Sequence, residues 1–129
     1  MIIITFGTFD LFHYGHLRLL QRCLDMDGLT RLVVGVSSDA LNHTKKNKMP
    51  IYTEAERMAI ISNMKGVDEV FLEESLEKKQ EYVDAFGADV LVMGDDWEGK
   101  FDHIKGCRVI YLPRTPSIST TEIIEKIRL

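Results

Sequence analysis

Two cysteines, three prolines and a single tryptophan in 129 residues leave several architectures without material. Cys23 and Cys107 sit inside apolar patterns and match no metal-ligand spacing, so neither a disulfide framework nor a zinc module is expected. Reduced thiols in the core of a cytoplasmic protein are the expectation. Positive charge is also scarce: twenty acidic residues stand against sixteen basic ones, a net charge of −4. That excludes non-specific nucleic-acid binding, which draws on a broad basic surface. No apolar run is long enough to span a membrane, and no basic segment precedes one as in a signal peptide. Repeats, low-complexity tracts and linkers are missing too. One domain over residues 1–129 is expected, long enough to bury a core.

What is present is a set of short apolar runs. Residues 2–6, 32–37, 69–72, 89–93 and 108–112 read as strands. Helical spacing fills the intervals. It runs over 16–26, and then from Thr53-Glu54-Ala55-Glu56, a capping box ahead of Met58, Ile61 and Met64. A third helix is predicted from about Ser75, with Leu76, Val83 and Phe86 on one face. The last starts at Ser119-Thr120-Thr121-Glu122, a second capping-box pattern, and carries Ile123, Ile124 and Ile127. This alternation predicts an α/β fold: a Rossmann-like, doubly wound sheet of about five parallel strands with helices on both faces. Ligands of such sheets bind beyond the strands' carboxyl ends. Most of the distinctive residues fall there, at 7–10, 37–39, 94–96 and 114–115.

The densest signal is Gly7-Thr8-Phe9-Asp10-Leu11-Phe12-His13-Tyr14-Gly15-His16. It is a strand end, a turn and a helix start, with two imidazoles at the turn. A helix N-terminus presents unpaired amides and partial positive charge, a ready site for phosphate. Gly15 would let the backbone approach a ligand, and each imidazole can donate a hydrogen bond to a phosphoryl oxygen. The competing reading is a capped structural turn. No third ligand for zinc lies at a suitable spacing.

Three further segments carry chemistry. Lys45-Lys46-Asn47-Lys48 is either a solvated loop or, in an acidic chain beside a triphosphate, a set of mobile cations. Residues 114–121 combine Arg114 with several hydroxyls at a helix start, so they can cap the helix, bind phosphate or do both. Asp95 and Asp96 could be a metal pair, a ribose contact or a polar strand end. Asp10 is expected to order the first turn, Trp97 to pack, and His43 and His103 to lie on the surface.

The first motif resembles the H-x-G-H signature of the nucleotidyltransferase superfamily, which also contains class I aminoacyl-tRNA synthetases. Met93-Gly94-Asp95-Asp96-Trp97-Glu98-Gly99-Lys100-Phe101-Asp102 and Arg114-Thr115-Pro116-Ser117-Ile118-Ser119-Thr120-Thr121 extend the likeness. Together they resemble the glycerol-3-phosphate cytidylyltransferase family over nearly the whole chain. The resemblance implies transfer of CMP from CTP to sn-glycerol 3-phosphate, giving CDP-glycerol, a teichoic acid precursor, and pyrophosphate. It also implies a cytoplasmic homodimer, and Mg²⁺ bound mainly through the triphosphate. A related cytidylyl- or adenylyltransferase using another phosphorylated polyol, sugar or alcohol is the alternative. A silent nucleotide sensor and a pure assembly domain are more distant ones.

By the same resemblance His13, His16, Lys46 and Arg114 are catalytic. CTP is surrounded by Gly7, Thr8, Phe9, Asp10, His13, Tyr14, Gly15, His16, Lys48, Asp95, Arg114, Thr115, Ile118, Ser119, Thr120 and Thr121. Lys46 and Lys79 take the acceptor, and Asp95 lies near ribose and metal. Counting back from Arg57 selects Lys46 and Lys48, whereas counting forward from Asp39 selects Lys45. The chain departs from the family at Leu76, where a tryptophan is expected, at Lys65, where an arginine is, and at Pro116-Ser117, which replaces Glu-Gly. Lysine at 65 loses the planar fork for bidentate phosphate contact.

Overall fold

A strand that is apolar at successive positions needs cover on both faces. Ile2–Gly7 (β1), Arg31–Ser37 (β2) and Val90–Gly94 (β4) are of this kind. In the computed structural model they form the centre of a five-stranded sheet. Glu69–Glu73 (β3) and Arg108–Leu112 (β5), more polar at their ends, take the edges. The described residues are 1–116 and 118–128, less the side chains of Lys45 and Lys46. The order is β3-β2-β1-β4-β5, and every pairing is parallel. The chain therefore winds outward from β1 to β3, then returns to the other side of β1 for β4. That reversal opens a crevice at the carboxyl ends of β1 and β4.

Alternation along the central strands divides the core. Ile3, Leu32, Val34, Val90 and Val92 face Leu20 and Cys23 of Tyr14–Leu24 (α1) and Ile61 of Glu54–Ser62 (α3). Ile4, Phe6, Val33, Leu91 and Met93 face Val83 of Lys79–Phe86 (α4), together with Phe101 and Ile104. Gly35 has to be glycine on this second face. A Cβ there would stand 2.6 Å from the Phe6 ring and 2.7 Å from Phe71. Those rings meet edge to face at 5.7 Å.

Cys23 is fully buried, and burial pushes its thiol up to about 12, so it acts as a small apolar filler. Among the described residues no helix is long and apolar enough to cross a membrane.

The five strands fall within a residue of their expected bounds at each end. The helices differ more. α1 starts at Tyr14, two residues before the expected start, which makes His13 its N-cap. α4 starts at Lys79 rather than near Ser75. The basic segment is not a simple loop. Asp39–Lys46 (α2) is helical, Ser38 Oγ accepts the Leu41 amide at 3.0 Å, and Asn47 closes the helix in the left-handed region. Thr120–Arg128 (α5) completes the fold.

Candidate active site

The turn between β1 and α1 is held by hydrogen bonds that fix the protons of its two histidines. His13 Nδ1 accepts the Gly15 amide at 3.0 Å, and His16 Nδ1 accepts the His13 amide at 3.2 Å. A nitrogen that accepts carries no proton, so each neutral ring holds its hydrogen on Nε2. The rings stack with centroids 3.7 Å apart and planes 20° from parallel. Phe9 abuts His16 edge-on at 5.4 Å. Burial keeps the His13 imidazole below its ordinary pKa, which favours the neutral Nε2–H donor near pH 7. Gly15 has a more specific reason than open approach to a ligand. A Cβ at that position would lie 2.8 Å from His13 Cε1.

Behind the imidazoles the turn is anchored to distant segments. Asp10 Oδ2 accepts the Ile51 amide at 2.7 Å, and Oδ1 accepts those of Tyr52 at 2.9 Å and Leu11 at 3.1 Å. Its carbonyl accepts the Thr120 hydroxyl at 3.0 Å, tying α5 to the same turn. The Asp10 carboxylate is thus saturated by amides, consistent with its expected ordering role. Thr8 Oγ1 donates to Asn42 Oδ1 at 3.0 Å, and Asn42 Nδ2 donates to Ser37 Oγ at 2.9 Å.

Arg57 lies wholly buried beneath these groups. It donates to the carbonyls of Thr8 at 3.0 Å, Ser37 at 2.7 Å and Tyr52 at 3.1 Å, and to Asp39 Oδ1 at 2.6 Å. One guanidinium therefore joins the ends of β1 and β2 to α2 and to the loop before α3. The burial of Arg57 was not expected from the sequence. Its spacing of four from Ile61, on the core-facing side of a helix, was the available signal.

A cleft of about 640 Å³ opens over this turn at the β1/β4 crevice. His13, His16, Gly7, Thr8, Phe9, Asp10, Gly15 and Lys48 line it, together with Arg114, Thr115, Ile118, Ser119, Thr120 and Thr121. Ser119 Oγ accepts the Glu122 amide at 3.1 Å, so the expected cap forms while the segment still faces the cleft.

Lys79 is also on the wall, yet buried. Its ammonium contacts Glu73 Oε2 at 2.5 Å and stands 3.7 Å from the Phe6 ring centroid. Desolvation lowers its pKa and the Glu73 carboxylate pulls it back up. The lysine expected to meet the acceptor is therefore half of a buried ion pair, which the sequence did not reveal.

Residues 4–126 match the cytidylyltransferase-like family. The chain belongs to that family. It is 46% identical over 126 residues to the glycerol-3-phosphate cytidylyltransferase of Bacillus subtilis (strain 168), covering 97% of this chain and 95% of that one. Its identity to the enzyme of the same name from Staphylococcus aureus (strain NCTC 8325 / PS 47) is 43%, covering 97% and 93%. A solved structure, the lipopolysaccharide core biosynthesis protein from Thermoplasma volcanium GSS1, aligns with a TM-score of 0.69 at 27% identity, over 89% of this chain and 96% of that one.

Two family-derived positions fall elsewhere than expected. Tyr14 is 58% exposed and does not line the cleft of this cytidylyltransferase-like domain. Asp95 is exposed on the 3₁₀ turn Asp95–Trp97, and its neighbour Asp96 lines the cleft instead. Trp97 packs on Phe101 at 5.4 Å and also borders the cleft. The side chains of Lys45 and Lys46, and the whole of Ser117, lie outside the described residues. No group of three or more His, Cys, Asp or Glu side chains able to hold a metal occurs among the described residues.

Proposed function

We propose that this chain transfers CMP from CTP to sn-glycerol 3-phosphate, forming CDP-glycerol and releasing pyrophosphate. Family membership and the named relatives support the chemistry and the acceptor. The observation that carries the site assignment is the pair of stacked imidazoles, proton on Nε2, sharing one cleft with Arg114, Thr115 and residues 118–121.

An oxygen of the acceptor phosphate attacks the α-phosphorus in line. The bond from that phosphorus to the bridging oxygen breaks, and pyrophosphate leaves with the electron pair. No general base is required, because a phosphate monoester with a second pKa of about 6 is already a dianion at neutral pH. The protein's task is alignment and charge neutralisation between two polyanions. Nε2–H of His13 and of His16 donate to phosphoryl oxygens where negative charge grows. Arg114, Lys48 and the amides at the start of α5 hold the tail of the nucleotide. Lys46 and Lys79 are assigned to the acceptor, with Glu73 keeping the Lys79 ammonium charged and in place.

Mg²⁺ bound mainly to the triphosphate would supply further neutralisation. The donors fit this mode better than a protein-held ion. Asp10 is spent on amides and Glu73 on Lys79, which leaves Asp96 as the cleft carboxylate free of such commitments among the described residues. A homodimer, a cytoplasmic location and supply of a teichoic-acid-like polymer belong to the same reading and rest on family likeness. Sedimentation velocity tests the first of these.

Leu76, which lines the cleft where the resemblance implies a tryptophan, favours a second reading with another phosphorylated polyol as acceptor. Pyrophosphate release measured with CTP and ATP, each crossed with several acceptor phosphates, tests both. Selective turnover of CTP with sn-glycerol 3-phosphate is expected. Turnover with a different acceptor alone would favour the second reading, and none with any pair would refute the enzyme.

A further inference from the structure

Beside the main cleft lies a second hollow of about 370 Å³, lined by Arg18, Arg22, Pro113, Arg114, Thr115 and Pro116. Three arginines and no carboxylate line it, in a chain whose net charge is −4. Among the described residues none of the three forms an ion pair. Their partners are neutral. Arg18 Nη1 donates to Gln21 Oε1 at 2.9 Å, and Arg22 Nη1 donates to the Pro113 carbonyl at 2.9 Å. Such acceptors hold a guanidinium in position without cancelling its charge. The helix dipole accounts for Arg22, in the last turn of α1, but not for Arg18 in mid-helix. Like charges gathered in this way are relieved by an anion, and the planar guanidinium fork matches phosphate oxygens.

We infer that Arg18, Arg22 and Arg114 form an anion subsite that receives inorganic pyrophosphate as it leaves the main cleft. Arg22, Pro113, Arg114 and Thr115 line both spaces, so the two adjoin. Neither imidazole lines the second one, so it is not where the phosphorus reacts. A released anion can pass from Arg114 to Arg22 and Arg18, whereas CTP stays held by its nucleoside in the larger cleft. This inference rests on the proposed transfer reaction as the source of pyrophosphate.

The test is calorimetric titration of the full chain with inorganic pyrophosphate, and separately with CTP, for the unaltered protein and for Arg18→Ala, Arg18→Glu and Arg18→Lys. Arg18 reaches Gln21 on its own helix, so folding should persist, as checked by circular dichroism. Pyrophosphate affinity should fall about threefold in Arg18→Ala and about tenfold in Arg18→Glu, with Arg18→Lys restoring most of it. CTP affinity should stay within about twofold. In turnover, product inhibition by pyrophosphate should weaken by the same factors. Unchanged pyrophosphate affinity in Arg18→Glu overturns the subsite. Parallel weakening of CTP overturns its assignment to the leaving product and moves Arg18 into the nucleotide site. Should Arg18→Glu fail to fold, the Ala and Lys pair decides alone. Pyrophosphate binding that depends on Arg18, in a protein that turns over no nucleotide, would sink the reaction and with it the exit role, while leaving an anion site.

Discussion

Two sets of residues that line the cleft are built on opposite terms. Around the β1–α1 turn the polar groups are engaged with protein before any ligand arrives. His13 and His16 cap each other's backbone, Asp10 binds three amides, and Arg57 binds three carbonyls and a carboxylate. By contrast Arg114 and Lys48, which line the same cleft, are exposed, and neither makes an ion pair among the described residues. The first set supplies geometry in advance, which stabilises a transition state without reorganisation. The second supplies charge that is adaptable and screened by salt. Damage to the first should be steep, and damage to the second graded.

The largest effect is expected at Arg57. Arg57→Met strands Asp39 and three carbonyls, and should destabilise the fold by about 3–5 kcal/mol, read from the denaturant midpoint. An unmoved midpoint would detach the rigidity of the turn from this arginine. Next comes His16→Ala, which should lower kcat by roughly 10²–10³. Its loss of one cap should cost only about 1 kcal/mol of stability. Near-normal turnover would remove His16 from the chemistry.

A smaller signal comes from His13. Its folded pKa lies below the ordinary 6.5, so on acidification the unfolded chain takes up a proton before the folded one does. Stability should therefore be full above that ordinary value and fall as the pH drops through the folded one. His13→Asn, which retains a capping side chain, should flatten the slope. An unchanged slope would assign it to another group. The smallest effect is in the exposed set. Lys48→Gln should raise KM for CTP roughly threefold with kcat nearly constant, and the difference should shrink as salt is added. A salt-independent loss of kcat would place Lys48 with the rigid set instead.

The strands were legible because a strand covered on both faces is a continuous apolar run, and such runs are bounded sharply by polar residues and glycine. The capping box at Thr53 was legible for a similarly local reason: donor and acceptor lie three residues apart. α2 was hidden because its inward contacts include the polar Asn42, whose amide bonds the end of β2, so it has little apolar stripe to read. The role of Asp10 was half legible. An aspartate in a turn announces local bonding to Leu11, but its bonds to Ile51 and Tyr52 span about forty residues. Asp95 and Asp96 are indistinguishable in sequence, and the 3₁₀ turn decides which of them lines the cleft. Tyr14 shares the H-x-G-H motif yet points outward, because adjacent residues at a helix start are about 100° apart.

The order of elements and the position of the histidine-bearing turn follow from local spacing, since strand runs, caps and the paired histidines all act over a few residues. Which groups remain available for chemistry was decided by folding. The burial of Arg57, the pairing of Lys79 with Glu73, the saturation of Asp10 and the placing of Arg18, Arg22 and Arg114 around one hollow each join segments far apart in the chain. Such partners are chosen by the winding of the sheet, and no spacing along the chain encodes them.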